Sequence, residues 1–266
     1  MSQIPRPSMR LASTVFLSFL VTLSAFAVNP RRGTSIYKDL ITKELITSNG
    51  KTRAYYLYVP KSVKPSDHAP LLVTLHGSGH NGLSLVEKWN DLAEKEGFIV
   101  AGPDSLDPAV WNTPRDGPDF LHELVEALKA KYPIDPRRVY LFGHSGGACF
   151  ALQIGLLESE YFAAVAIHAG ALRGGQYSLI DYADRKIPMG IWVGTIDPNF
   201  PLPAVRDTRD QLKAHGVPVE MTEIPNHNHW YYDLAPKINR EAWDFLKKNE
   251  LSADPKYRQY DIRDKN

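Results

Sequence analysis

Phe142-Gly143-His144-Ser145-Gly146-Gly147-Ala148 is the stretch that decides the fold. Before it runs Arg138-Val139-Tyr140-Leu141, rich in residues that suit a buried strand. After it, Ala148 to Leu157 reads as an apolar helix. A strand that becomes a helix through G-x-S-x-G must turn sharply, with the serine in a strained conformation and glycines where the two elements meet. The Ser145 hydroxyl then stands above the sheet. The N–H of Gly146 opens the helix and aims at the same point, where the helix dipole helps to hold a developing anion.

Such a serine is a weak nucleophile without a base. In this strand–turn–helix setting an acid and then a histidine follow the serine along the chain. Asp197 closes Trp192-Val193-Gly194-Thr195-Ile196 and lies 52 residues beyond Ser145. Asp207 and Asp210 fall in a predicted helix and fit less well. The base is expected after the last strand, in Asn226-His227-Asn228-His229-Trp230-Tyr231. His227 and His229 alternate, so one of them faces Ser145, and position does not choose between them. Their spacing lacks a third ligand in a recognised pattern, so no metal is assigned. Leu75-His76-Gly77-Ser78-Gly79 ends an earlier strand, and its Ser78 N–H is expected to face that of Gly146 across a substrate oxygen. His168 ends a strand near the site and is expected to line the pocket. His76 and His144 read as supporting residues.

Strand-like and helix-like segments alternate along the chain, which predicts a largely parallel sheet with helices on both faces. The opening is different. Leu45 to Thr47, Asn49-Gly50 and Arg53 to Val59 predict an antiparallel hairpin, because Asn-Gly suits a two-residue turn. Further strands are predicted at 70–75, 98–101, 138–142, 163–167, 189–193 and 217–224. Helices are predicted at 83–95, 120–132, 148–157, 204–214 and 232–248. Residues 102–118 hold four Pro and two Gly and read as a long loop. The stretch between the strands at 163–167 and 189–193 has room for a loop and not for a lid domain. Trp111, Phe200, Trp230 and Tyr231 are candidates for an aromatic rim around the substrate.

The chain has 266 residues, 43% hydrophobic and 23% charged, which excludes a disordered protein. A net charge of +1 argues against a nucleic-acid partner. A single cysteine, Cys149, excludes a disulfide framework and multi-cysteine zinc modules. Residues 1–27 read as a secretory signal peptide: Arg6 and Arg10, an uncharged apolar run, then Ala25-Phe26-Ala27. Its removal takes two Arg and no acid, leaving 239 residues at −1 with no stable membrane span, in the periplasm or outside the cell. Residues 28–250 are assigned to one catalytic domain, and 251–266 to a charged surface tail.

These features resemble the α/β-hydrolase superfamily, and most closely its secreted polyhydroxybutyrate depolymerase-like and feruloyl esterase-like members. The likeness is carried by Leu75 to Gly79, Trp111, Tyr132-Pro133-Ile134-Asp135-Pro136-Arg137-Arg138-Val139-Tyr140, the elbow, and Asn228-His229-Trp230-Tyr231-Tyr232. It spans roughly residues 50–250. The resemblance implies an esterase with Ser145, His229 and Asp197 as a triad and Ser78 and Gly146 as oxyanion donors, needing no cofactor. It favours His229 over His227 because aromatics follow the family's base. Trp111, Trp230 and His168 are the expected substrate contacts. The loop lacks the Gly-His-x-Trp-Pro pattern of some polymer depolymerases. Feruloyl or acetyl esters on polysaccharide are therefore the expected substrates. The alternatives are a polyester, a peptide, or a binding protein without catalysis.

Overall fold

The first strands described form the hairpin. β1 (Thr42–Ser48) pairs antiparallel with β2 (Lys51–Tyr58), Ser48 opposite Lys51. Asn49 and Gly50 fill the turn with φ of 48° and 72°, the left-handed pair a two-residue hairpin demands. The remaining strands are β3 (Ala69–Leu75), β4 (Ile99–Pro103), β5 (Ile134–His144), β6 (Ala164–His168), β7 (Met189–Gly194) and β8 (Val219–Ile224). They form one eight-stranded sheet in the order β1-β2-β4-β3-β5-β6-β7-β8. From β4 to β8 every neighbouring pair is parallel. The computed structural model describes residues 40–113 and 115–258. The expected signal peptide lies outside the described residues. No helix among the described residues is long and apolar enough to cross a membrane.

Five helices cover the sheet: α1 (Leu83–Glu96), α2 (Pro118–Lys129), α3 (Gly146–Leu157), α4 (Leu202–Ala214) and α5 (Ala235–Leu246). α1 buries Leu85, Val86, Trp89, Leu92 and Ala93, the spacing of one helical face. Asp104 accepts the Gly82 N–H ahead of its first turn, and Gly97 at φ 74° ends it. α1 and α5 pack on one face of the sheet with Phe98, Tyr140 and Phe142. α2, α3 and α4 pack on the other with Leu71, Leu141 and Ile167. α3 is apolar all round because it is covered on its outer side too, by a 3-10 helix at Gly174–Tyr182. That short helix stands where a plain loop was expected.

The connection between β4 and α2, predicted as a long loop from its prolines, is held by a buried ion pair. Asp116 takes the Arg53 guanidinium at 2.7 Å on Oδ1 and the N–H groups of Leu106 and Asn112 at 2.9 Å. Arg53 also donates to the Asp104 carbonyl and lies over the Phe120 ring at 3.6 Å. Residues 251–258 run back along the body: Leu251 is buried, and Tyr257 stacks on His122 with ring centres 3.8 Å apart.

Candidate active site

β5 and α3 meet at Ser145, whose φ of 56° and ψ of −120° are outside the usual regions for a side-chain residue. The flanking glycines are required by contact. A Cβ on Gly143 would stand 2.3 Å from the Gly147 carbonyl oxygen, and one on Gly147 would stand 2.0 Å from that of Leu75. The strain at Ser145 persists because its surroundings over-determine it. Its N–H donates to the His168 carbonyl at 3.1 Å, and its own carbonyl accepts the N–H groups of Ala148 and Cys149.

Ser145 Oγ lies 2.9 Å from Nε2 of His229, and Nδ1 of the same ring lies 2.9 Å from Oδ2 of Asp197. The Asp197 side chain is wholly buried. Its other oxygen, Oδ1, accepts the backbone N–H groups of Asn199 and Phe200 at 2.8 and 3.0 Å. With Oδ1 on two N–H groups and Oδ2 on the imidazole, the buried side chain is fixed in place. It therefore holds the proton of His229 on Nδ1 and leaves Nε2 to accept from the serine. Phe200 stacks on the His229 ring, 5.7 Å between centres and 19° from parallel. Asp207 and Asp210 lie on α4, and the first of them is bonded to the Tyr177 hydroxyl.

Between the two candidate histidines the geometry is unequal. His227 is buried and turns away from Ser145, its Nε2 lying 3.2 Å from Nε2 of His168. Among the described residues no group of three His, Cys, Asp or Glu side chains is arranged to hold a metal ion.

Ser78 follows β3 and sits against the start of α3. Its Oγ is 2.8 Å and its backbone N 3.6 Å from the point where a Gly146 Cβ would stand. The N–H of Gly146 opens α3, so it has no partner within the helix. The loop that carries Ser78 is held from behind. The His76 carbonyl accepts Trp111 Nε1 at 2.8 Å. His76 Nδ1 donates to the Gly77 carbonyl, and its Nε2 accepts the Ser105 N–H at 3.1 Å. Burial pushes the His76 imidazole below the usual histidine range, which keeps it in this neutral form.

Two expected substrate contacts are corrected here. Trp111 is buried, stacks on Phe150 and braces the Ser78 loop, so it forms no substrate rim. His168 is fully buried, with both ring nitrogens bonded to other imidazoles, so it does not line a pocket. Tyr231, the second expected rim aromatic that packs inward, is fully buried. Trp230 remains half exposed beside the site. A cavity next to His229 has Phe200, an expected rim aromatic, in its wall. It measures ≈330 Å³ and is lined by Ala171, Leu172, Arg173, Tyr177, Phe200 and Pro201 among others.

The chain is similar to known proteins in both sequence and fold. The sequence model of the family described as Esterase PHB depolymerase matches residues 118–194. A bifunctional acetylxylan esterase/xylanase of Neocallimastix patriciarum is 28% identical over 185 residues, covering 66% of this chain and 27% of that protein. A poly(3-hydroxybutyrate) depolymerase of Ralstonia pickettii is 26% identical over 172 residues, covering 55% and 34%. The chain thus spans about a quarter to a third of the length of these two relatives. Among solved structures, a thermostable esterase superposes with a TM-score of 0.64 at 24% identity, covering 80% of this chain and 64% of that one. A ferulic acid esterase of Anaeromyces mucronatus superposes with a TM-score of 0.62 at 18% identity, covering 79% and 90%. The chain has the α/β-hydrolase fold, and over its central segment it is similar to the Esterase PHB depolymerase family.

Proposed function

We propose that this protein is a serine esterase that cleaves carboxylic esters through an acyl-enzyme. The observation that carries the reading is the unbroken line of hydrogen bonds from Ser145 Oγ through His229 to Asp197, both contacts at 2.9 Å. Ser145 Oγ attacks the ester carbonyl carbon as its proton passes to His229 Nε2. Asp197 stabilises the imidazolium that forms. The tetrahedral oxyanion is held by the N–H groups of Ser78 and Gly146. Collapse breaks the bond to the alcohol oxygen, which takes the proton from His229. Water then attacks the acyl-serine, giving its proton to the same nitrogen, and the acid leaves with Ser145 restored.

The substrate class we infer is an acetyl or feruloyl ester borne on polysaccharide, in keeping with the named activities of the relatives and neighbours. The ≈330 Å³ cavity beside His229 has room for an aromatic acyl group, with Phe200 as a wall. The rim at Trp230 is exposed, as a polymer-borne ester requires. We also read residues 1–27 as a leader that sends the enzyme out of the cytoplasm, which N-terminal sequencing of exported protein at Val28 would support. Release of acetate and ferulate from acetylated and feruloylated xylan, with poly(3-hydroxybutyrate) in parallel, tests the substrate assignment. Acid release from xylan is expected, and release of hydroxybutyrate alone would contradict it.

A further inference from the structure

β6 ends at His168, whose imidazole is fully buried and bonded on both sides. Its Nδ1 lies 3.1 Å from Nδ1 of His144, and its Nε2 lies 3.2 Å from Nε2 of His227. His144 is the residue before Ser145, and His227 stands two before His229. The three rings therefore join the end of β5, the end of β6 and the loop after β8. Each imidazole-to-imidazole contact holds one proton, so a neutral His168 donates through one nitrogen and accepts through the other. Such contacts fix direction as well as distance.

Packing alone does not account for this row. Apolar side chains would fill the same buried volume without desolvating three imidazoles. The backbone of His168 bears on the same elbow, because its carbonyl accepts the Ser145 N–H at 3.1 Å. The next residue, Ala169, is held at φ 55°, with its N–H on the Trp192 carbonyl at 2.8 Å. A left-handed alanine persists where its surroundings over-determine it.

We propose that His168 is a positioning residue for ester hydrolysis, its imidazole tying the nucleophile's elbow to the base's loop and so setting the reach between Ser145 and His229. The inference rests on the esterase reading above. A misplacement on the order of 1 Å between reacting groups costs up to about 100-fold in rate, which sets the size of the effect.

The test is turnover counted per competent site. A fluorophosphonate titrates the reactive Ser145, and hydrolysis of a feruloyl ester is then divided by that titre. A defect of folding alone lowers the titre and leaves turnover per site unchanged. His168→Phe keeps the ring volume and removes both bonds. It is expected to lower kcat per titrated site by about 10- to 100-fold with KM nearly constant. His168→Gln keeps an amide near the position of Nε2 and is expected to recover part of the loss. His227→Phe breaks the bridge from the loop end and is expected to reproduce the loss, and the double variant is expected to be no worse than either single. Wild-type kcat per site in His168→Phe, or in His227→Phe should the first variant fail to fold, would overturn the proposal. Multiplying losses in the double variant would do the same. A wild-type protein that neither labels nor turns over esters would overturn the esterase reading, and this proposal with it.

Discussion

At Asp197 the two carboxylate oxygens have separate tasks. Oδ1 is spent on the N–H groups of Asn199 and Phe200, which hold the side chain in place, and Oδ2 faces His229. An asparagine there would keep its oxygen on the two N–H groups and turn its amide NH₂ toward His229. Two donors would then meet unless the imidazole moved its proton to Nε2, the nitrogen that must accept from Ser145. Asp197→Asn is thus expected to lower kcat by about 10⁴-fold while leaving KM and the melting temperature nearly unchanged. Steady-state kinetics alongside a thermal melt checks this, and a loss confined to KM would contradict it. At this scale the sequence was legible wherever a residue's chemistry dictated its place. Ser145 and Asp197 follow from strand ends and chain order. The choice of His229 over His227 came from a family likeness, since alternation in a loop does not say which ring turns inward.

The long segment between β4 and α2 shows what one element contributes. Its two anchors lie far apart in sequence, Arg53 on β2 and Asp116 ahead of α2. No local pattern announces such a pair, and the sequence reading missed it. The segment's prolines predict only a loop, and the family likeness makes Trp111 within it a substrate contact. In the fold it is the brace behind the Ser78 loop, through Trp111 Nε1 on the His76 carbonyl. Asp116→Ala would leave the Arg53 guanidinium buried without its partner. The expected loss is about 3–5 kcal/mol of stability, measured by urea unfolding. A fall in kcat should accompany it, because the Ser78 loop, which we propose holds the oxyanion, loses its support. Stability within about 1 kcal/mol of wild type would show that the pair is dispensable. The 3-10 helix at Gly174–Tyr182 was missed for a related reason. Its residues carry no helical period, and it is held by contacts such as Gln176 with Arg173 and Tyr177 with Asp207.

For the whole molecule, buried imidazoles set the response to acid. Burial lowers His144 to about 3 and His168 to about 2, each also opposed by neighbouring histidines. His76 is lowered by burial as well. Facing His144 and His168 are His227, His229 and Asp197 from the loops after β8 and β7, and His80 from the loop after β3. The lowered groups are neutral in the fold, whereas the unfolded chain takes up their protons below about pH 6.5. Stability is therefore full above that pH and falls as pH drops, by up to about 1.4 kcal/mol per pH unit for each group. Glu158 acts the other way. Burial raises it to about 7, so the fold gains relative stability as pH falls from about 7 toward its ordinary range. Asp119 is raised by burial in the same way, and His122 and His227 are lowered, so two carboxyls stand against five histidines and leave a net loss. Chemical denaturation at pH 7.5 and pH 5 should show a clearly less stable protein at the lower value, and equal midpoints would contradict the neutral histidine row. The architecture at this scale was largely readable, because alternating buried strands and amphipathic helices admit few arrangements. Which aromatics point outward was not, since Tyr231 stands two residues past His229 and Trp111 sits in a long loop, yet both pack inward. The central claim is that Ser145 is a nucleophile activated by His229. Mass spectrometry after reaction with a fluorophosphonate tests it most directly. One adduct per chain on Ser145 is predicted, absent in Ser145→Ala and formed far more slowly in His229→Ala. An adduct that persists in Ser145→Ala, or forms at the wild-type rate in His229→Ala, would contradict the account.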